Sequence, residues 1–365
     1  MKHVALALAL SISFVGLEPL EACTGTQLRA EDGSVLYGRT LEWGSFEMNS
    51  RVAVVPRGHA FVGKTPDGKP GVSWKAKHGF VAVDLLLKDL FADGMNEAGL
   101  SAGLFYHPGF CEYAPYDPEK AGSSLDVTGI LAYVLSQATN IEESRALLGK
   151  VRMVPIVEPT FGLAPPAQMI INQPDGKSIV VQWLKGKTVI TDNPLGVITN
   201  APTFGWHLTN LRNYLNLSAT SLPDKAIGEL NLAALGGGTG FMGMPGDFTP
   251  PSRFVRATAF SKSARKTADG PETMYELFRV LDNFNAPASS VEGTGGAESA
   301  NLRSGTLWTT AWDMKNRVFY YHTQHNRRVR KLDLKRIDFT QTGIRRRALD
   351  PKKVQDIEEI TDAVN

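Results

Sequence analysis

Only two cysteines occur in the 365 residues, Cys23 and Cys111, and the first stands directly behind a segment that reads as a removable leader. Met1, Lys2 and His3 make a short basic start, Val4 to Leu17 an apolar run, and Glu18 to Ala22 a more polar end, the layout of an export signal. A cut after Ala22 leaves a small residue before the scissile bond and makes Cys23 the first residue of the mature chain. Such a cysteine carries two reactive groups at once. Its thiol has an ordinary pKa of about 8.5 and its α-amine one of about 7.7–8.0, close enough to neutral pH to shuttle a proton. Hydrolysis of an amide needs a nucleophile, a base, donors for the developing oxyanion and an acid for the leaving amine. One residue supplies the first two.

Two other readings attach to Cys23. A disulfide to Cys111 is the plainest use of a cysteine pair in an exported chain. Leu20-Glu21-Ala22-Cys23 also loosely resembles a lipoprotein processing site, where the sulfur is acylated. The chain would then be a lipid-anchored envelope protein of a different class, without catalysis, because lipidation consumes the thiol.

Composition narrows the partners. A formal charge of +2 is too small for a nucleic-acid or anionic-membrane binder, which needs clustered Lys and Arg in excess. Beyond the leader no run approaches the ~20 apolar residues of a membrane helix, so a soluble mature chain, periplasmic or secreted, is expected. Two cysteines are too few for a disulfide scaffold or a cysteine-rich metal site.

The elements that must position Cys23 read as separate runs of strands and helices. Thr24 to Ala30, a turn at Asp32-Gly33, and Val35 to Trp43 form a hairpin that begins at Cys23. Further hairpins turn at Pro174-Asp175-Gly176, at Lys185-Gly186-Lys187, and between Thr306–Trp312 and Arg317–His322. Helical periodicity runs from Leu125 to Gln137 behind a Ser124 cap and from Ile141 to Leu148 behind Asn140; it returns over Trp206–Leu217, Arg253–Ser263 and Glu272–Phe284. Runs of this kind favour antiparallel sheets covered by helices, an α+β chain, over a doubly wound parallel sheet. Without a linker or a repeat, the expected organisation is a leader over 1–22 and a single domain over 23–365.

Five ordered motifs carry a family resemblance: Cys23-Thr24-Gly25; Tyr37-Gly38-Arg39-Thr40-Leu41-Glu42-Trp43; Asp93-Gly94-Met95-Asn96-Glu97-Ala98-Gly99-Leu100; Thr199-Asn200-Ala201-Pro202-Thr203-Phe204; and Met244-Pro245-Gly246-Asp247 with Ser252-Arg253-Phe254. Together, from Cys23 to about Tyr321, they resemble the choloylglycine hydrolase family, the penicillin V acylases and bile salt hydrolases of the N-terminal nucleophile superfamily. The resemblance implies a four-layer αββα fold with two stacked antiparallel sheets, assembled as a homotetramer. It makes Cys23 the nucleophile and its amine the base, sets Arg39 beside the thiol to favour the thiolate, and matches Arg253 to the second arginine. Asn200 matches the asparagine whose side-chain amide helps hold the oxyanion. Glu42 falls where many members have an aspartate that orients the cysteine amine.

Phe105, in Ala102-Gly103-Leu104-Phe105-Tyr106, stands where the bile salt hydrolase pattern has an asparagine. A backbone N–H of Phe105 or Tyr106 is then the candidate second oxyanion donor, and Trp43, Phe105 and Tyr106 are candidate walls of an acyl pocket. The leader and the aromatic pair look like the Gram-negative branch, which includes penicillin V acylases that also cleave N-acyl homoserine lactones. The expected substrate is therefore a small-molecule linear amide of that kind, with conjugated bile salts as the alternative, and no cofactor or metal is implied.

The other chemistry-bearing residues have quieter readings. Arg39 and Arg253 alone would pair with surface acids, and Asn200 would cap a turn. His322 and His325 read as a solvated pair without a third metal ligand. Asp93, Asn96 and Glu97 read as holding a turn. Gly236-Gly237-Gly238-Thr239-Gly240 lacks the context of a phosphate cradle and reads as a mobile loop near a site. The basic stretch Arg327–Lys353 reads as a solvated face or a subunit contact, not a nucleic-acid site, with the acidic end Asp356–Asp362 expected to fold against it.

Overall fold

The computed structural model describes residues 22–44, 47–288 and 305–364; the expected leader, apart from Ala22, lies outside them. Two antiparallel sheets are stacked. The first has five strands in the order Ala22–Arg29, Val35–Trp43, Gly305–Asp313, Val318–Thr323, Arg330–Asp333. The second has eight, in the order Lys187–Asp192, Ser178–Leu184, Ala167–Asn172, Ser101–Tyr106, Leu90–Asn96, Phe80–Leu85, Arg51–Val55, Arg345–Ala348.

Period-two alternation sorts the apolar side chains into two cores. Met169, Ile171, Ile179 and Val181 pack under helices α1 (Val127–Gln137) and α2 (Ile141–Leu148). Ile170 and Val180 turn the other way, into the core between the sheets. That core continues through the five-stranded sheet to α4 (Pro250–Ser263) and α5 (Gly270–Asp282), which contribute Phe254, Ala257, Leu277 and Leu281. Helices, sheet, sheet and helices make the four-layer αββα arrangement of N-terminal nucleophile hydrolases. A short helix, α3 (Phe204–Asn210), follows the Asn200 segment. No helix among the described residues is long and apolar enough to cross a membrane.

Several boundaries differ from the sequence reading. Ser124-Leu125 forms a two-residue strand beside Arg152-Met153, so Asp126, not Ser124, caps α1 by accepting from Thr128 N–H. The stretch expected to be helical to Leu217 ends at Asn210 and continues only as a 3-10 turn to Tyr214. Helices α4 and α5 start earlier than expected, because Pro251 and Pro271 fit the first turn, where a missing N–H costs nothing.

The histidine pair is corrected. His322 is buried against Phe278, ring centroids 5.1 Å apart, and burial pushes its pKa down to about 4, so it is a neutral core residue instead of a solvated one. Asp93 is also not a turn residue: it lies within the strand Leu90–Asn96. Asn96 does hold the turn, accepting from Ala98 and Leu100 N–H, while its amide nitrogen caps the end of α1 at Leu135 and Ala138 carbonyls. The basic stretch pairs with acids from elsewhere, Arg327 with Asp282 and Arg346 with Asp84 and Asp89, and Arg328 with Asp356 of the acidic end.

Candidate active site

Cys23 and Arg39 meet because of hairpin register. Cys23 is opposite Leu41, Thr24 opposite Thr40, and Ala22 opposite Glu42, and residues opposite one another share a sheet face. A Cβ on Gly38 would press on Leu277 and Leu281 of α5 at 2.9 Å, so the even-numbered residues of this strand face the helices. Cys23, Tyr37, Arg39, Leu41 and Trp43 therefore face the second sheet, while Thr24, Thr40 and Glu42 face α4 and α5. Gly25 completes the motif. A Cβ there would lie 2.8 Å from the Phe105 ring and 3.0 Å from Ile198, whose segment bonds back to Gly25 through both backbone groups. That close approach brings Asn200 to Cys23.

On the inter-sheet face Arg39 is fully buried. Its Nη1 donates to the carbonyls of Leu104 and Ala92, its Nε to that of Thr40, and its guanidinium lies 4.1 Å above the Phe105 ring centroid. Burial works against its charge, but Cys23, Tyr37, Asp93 and Glu42 outweigh that and hold its pKa above the ordinary value. Asp93 reaches across from the second sheet, accepting from Thr310 Oγ1 at 2.7 Å and Trp312 Nε1 at 2.6 Å. Burial lifts its pKa to about 6, against Arg39 and those two donors.

On the helix face Arg253, in the first turn of α4, is 1% exposed. It donates to the Cys23 carbonyl at 2.5 Å, to Thr24 Oγ1 at 2.8 Å, to Asn200 Oδ1 at 2.8 Å and to the Phe248 carbonyl at 2.7 Å. Burial lowers its pKa to about 10, with Glu42 and Cys23 opposing. Neither arginine pairs with a surface acid. Glu42 accepts from Thr306 Oγ1 at 2.8 Å, and its other oxygen is buried with no hydrogen-bond partner among the described residues. Burial raises its pKa to about 7, despite Arg253, Thr306, Thr40 and Arg39.

Asn200 joins the two faces. With Ala22 still attached, the Cys23 N–H donates to Asn200 Oδ1 at 2.8 Å, and Asn200 Nδ2 donates to the Tyr106 carbonyl at 2.8 Å. The cysteine nitrogen thus meets Asn200 instead of Glu42, the partner expected from the motif; Glu42 stands one residue back, across from Ala22. No disulfide joins Cys23, which is buried, to the half-buried Cys111.

Cys23 and Arg39 line a cleft of about 570 Å³, its open mouth included. Trp43, Phe105 and Tyr106 wall it, together with Leu85, Phe91 and Val127. Apart from Cys23, Arg39 and the polar edges of Trp43 and Tyr106, every lining side chain among the described residues is hydrocarbon or thioether. Phe161, which the sequence reading passed over, closes the wall edge-on to Trp43 with centroids 5.2 Å apart. Its loop is tied down where Glu158 takes an ion pair from Lys88. Nothing in its local sequence marks Phe161, because loop packing brings it there. Gly236–Gly240 lines no part of this cleft. No group of three or more metal-ligating side chains occurs among the described residues.

The chain as a whole has counterparts among known proteins. The family described as linear amide C–N hydrolases, choloylglycine hydrolase family, matches residues 23–347. A bile salt hydrolase/transferase from Clostridium perfringens is 32% identical over 316 residues, 86% of this chain and 92% of that protein. Penicillin V acylase from Pectobacterium atrosepticum is 24% identical, over 76% of this chain and 71% of that one. Among solved structures, a mutant of conjugated bile acid hydrolase from Clostridium perfringens superposes with a TM-score of 0.81 at 29% identity, covering 93% of this chain and 100% of that one. Penicillin V acylase from Agrobacterium tumefaciens does so at 0.69 and 24% identity, over 90% and 92%, a likeness of fold.

Proposed function

This chain belongs to the choloylglycine hydrolase family of linear amide C–N hydrolases, and we propose that it works through Cys23 once the leader is removed, on amides whose acyl group is aromatic or aliphatic. The observation that carries the reading is the placement of Cys23: its nitrogen is held by Asn200 and its residue lines an apolar cleft together with Arg39.

In this reading the freed α-amine takes the thiol proton, and the sulfur bonds to the acyl carbon while the carbonyl electron pair moves onto oxygen. Arg39 favours the thiolate through its buried charge. Asn200 Nδ2 carries two hydrogens, of which Tyr106 takes one; the second serves the oxyanion, joined by a backbone N–H of Phe105 or Tyr106. Collapse breaks the C–N bond and the amine leaves with the proton; water then hydrolyses the thioester. Arg253 fixes the Cys23 carbonyl, Thr24 Oγ1 and Asn200 Oδ1. Glu42 offers its unpartnered oxygen to the new ammonium. All these parts come from the chain itself.

The hydrocarbon cleft supports a penicillin V acylase-like and N-acyl homoserine lactone acylase-like preference. A hydroxylated steroid would leave its hydroxyls unpaired there, at roughly 1–3 kcal/mol each. Likeness to the Clostridium perfringens hydrolase favours the second reading, a bile salt hydrolase. Purified enzyme offered phenoxymethylpenicillin, N-dodecanoyl homoserine lactone and glycocholate separates the two: fastest release from glycocholate overturns the first.

Mass measurement of the secreted protein's N-terminus tests the nucleophile. A free Cys23 is expected, and a diacylglyceryl group there would support the non-catalytic envelope anchor instead. Cys23→Ala is expected to lose activity entirely while keeping its melting temperature. A homotetramer outside the cytoplasm completes the proposal. It is supported by the hairpin of Lys225–Ile227 and Leu230–Leu232, which exposes Ile227, Leu230 and Leu232 together, an apolar surface that a second copy would cover. Native mass spectrometry that finds only monomer would remove that part.

A further inference from the structure

Asn200 lies outside regular structure, between the strand Lys187–Asp192 and α3, yet its side chain must stay registered against Cys23. What holds its backbone is a chain of buried amides. Gln168 and Gln182 stand opposite one another on neighbouring strands, 2% and 3% exposed, each inside an otherwise apolar run. By alternation they share the inter-sheet side with Ile170 and Val180.

Their orientation is fixed by partners that can act in one way only. The Phe204 N–H can only donate, and it meets Gln182 Oε1 at 3.2 Å. Gln182 Nε2 then donates to Gln168 Oε1 at 2.7 Å. That leaves Gln168 Nε2 to donate to two carbonyls, Thr199 at 2.9 Å and Asn200 at 3.2 Å. His207 Nε2 supplies the Asn200 carbonyl with a second donor at 3.1 Å, which assigns that nitrogen its hydrogen. Both lone pairs of the Asn200 carbonyl are thereby used, and the donor sequence runs from the start of α3 through two strands to the catalytic segment, with His107 Nε2 beside it, 3.3 Å from Gln182 Nε2.

We propose that Gln168, backed by Gln182, is the positioning residue for Asn200. Without the Gln168 amide, the buried Thr199 carbonyl loses its donor and the Asn200 carbonyl one of two. The peptide then rotates toward any remaining donor, and the Asn200 side chain leaves the Cys23 nitrogen and the oxyanion site. A misplacement of about 1 Å at such a site costs on the order of 100-fold in rate. The role rests on the reading that Asn200 assists the Cys23 reaction.

A double-mutant cycle tests it, with whichever of phenoxymethylpenicillin, N-dodecanoyl homoserine lactone or glycocholate is cleaved fastest. Gln168→Met is expected to lower kcat roughly 10- to 100-fold with KM unchanged, and to add nothing in an Asn200→Ala background. Alkylation of Cys23 by iodoacetamide needs no oxyanion donor, so its rate should stay within about two-fold, whereas general loosening of the site would change it. Gln168→Glu keeps the acceptor but loses the donors, and should be as slow as Gln168→Met. Gln182→Met should show the same pattern, weaker, and carries the cycle if Gln168→Met does not fold. Normal kcat in these variants, or a full additional loss in the Asn200→Ala background, overturns the positioning role alone. Normal kcat in Asn200→Ala overturns the reading of Asn200, and the positioning role with it.

Discussion

The two faces of the strand Val35–Trp43 each bury an arginine with a carboxylate, and they do different work. Toward the second sheet, Arg39 spends its donors on backbone carbonyls, keeps a raised pKa and borders the apolar cleft. Toward the helices, Arg253 spends its donors on Cys23, Thr24 and Asn200 and has its pKa lowered to about 10. Burial is equal; the neighbours differ. One arginine is arranged as a charge near the sulfur, the other as a bracket for the backbone around it. An ion pair of the same residue types on a surface would be interchangeable, contributing ~0–1 kcal/mol whichever partner it found.

The sharpest way to break this distinction is Arg39→Met. It should cost roughly 10²–10³-fold in kcat/KM, and should slow alkylation of Cys23 by iodoacetamide as well, because the charge favouring the thiolate is gone. Arg39→Lys should fail to restore either rate, since one ammonium cannot span the Thr40 carbonyl that Nε reaches and the Leu104 and Ala92 carbonyls that Nη1 reaches. Full rescue by lysine would erase the geometric half of the argument.

Arg253→Met should behave differently. Removing it strips donors from the Cys23 carbonyl and Asn200 together, so urea unfolding should show a loss of about 3 kcal/mol alongside the loss of activity. An inactive variant of undiminished stability would make Arg253 a second charge instead of a bracket.

The carboxylates allow a subtler comparison by pH. Glu42 titrates at about 7 in the folded chain with Ala22 attached, while an unfolded glutamate titrates at about 4.3. Between those values the folded chain keeps a proton that the unfolded chain has released, so this group's contribution to stability falls as pH rises through the window. In a leader-retaining form, Glu42→Gln should flatten that fall and gain roughly 1–3 kcal/mol above it. The mature form should show a smaller gain, because an ammonium at Cys23 favours the charged carboxylate. Equal gains in both forms would remove Glu42 from the amine's surroundings.

The smallest effect is expected in the cleft. Trp43→Leu opens the wall it makes with Phe161, and KM for N-dodecanoyl homoserine lactone should rise about ten-fold with kcat nearly unchanged, since the lost contact is uniform binding. A fall in kcat alone would mean that Trp43 aligns the amide as well as holding the chain.

Much of this was open to reading in the residues. The hairpin starting at Cys23 and the turns at Pro174-Asp175-Gly176 and Lys185-Gly186-Lys187 follow from local chemistry, and all are present. Of the site candidates, Arg39, Trp43, Phe105 and Tyr106 share the cleft with Cys23, and Asn200 and Arg253 bond to its backbone, while Glu42 stands across from Ala22 on the other face. Asn200 and Arg253 were reached only through the family resemblance; other partners supplied by distant packing escaped: Phe161 on its loop, Thr306 under Glu42, and the Gln182–Gln168 pair. A glutamine inside an apolar strand is a signal, but only the facing strand says what it serves. His322 misled for the same reason, its neighbour Phe278 lying on another element.

The sequence by itself determined which groups are present and, because side-chain alternation is local, that Arg39 and Glu42 stand on opposite faces of one strand. The tertiary structure alone decided what those groups are chemically. Burial among particular partners raised Asp93 and Glu42, lowered Arg253, and handed the Cys23 nitrogen to Asn200. Desolvation and donor counts belong to the packed interior, and no spacing along the chain encodes them.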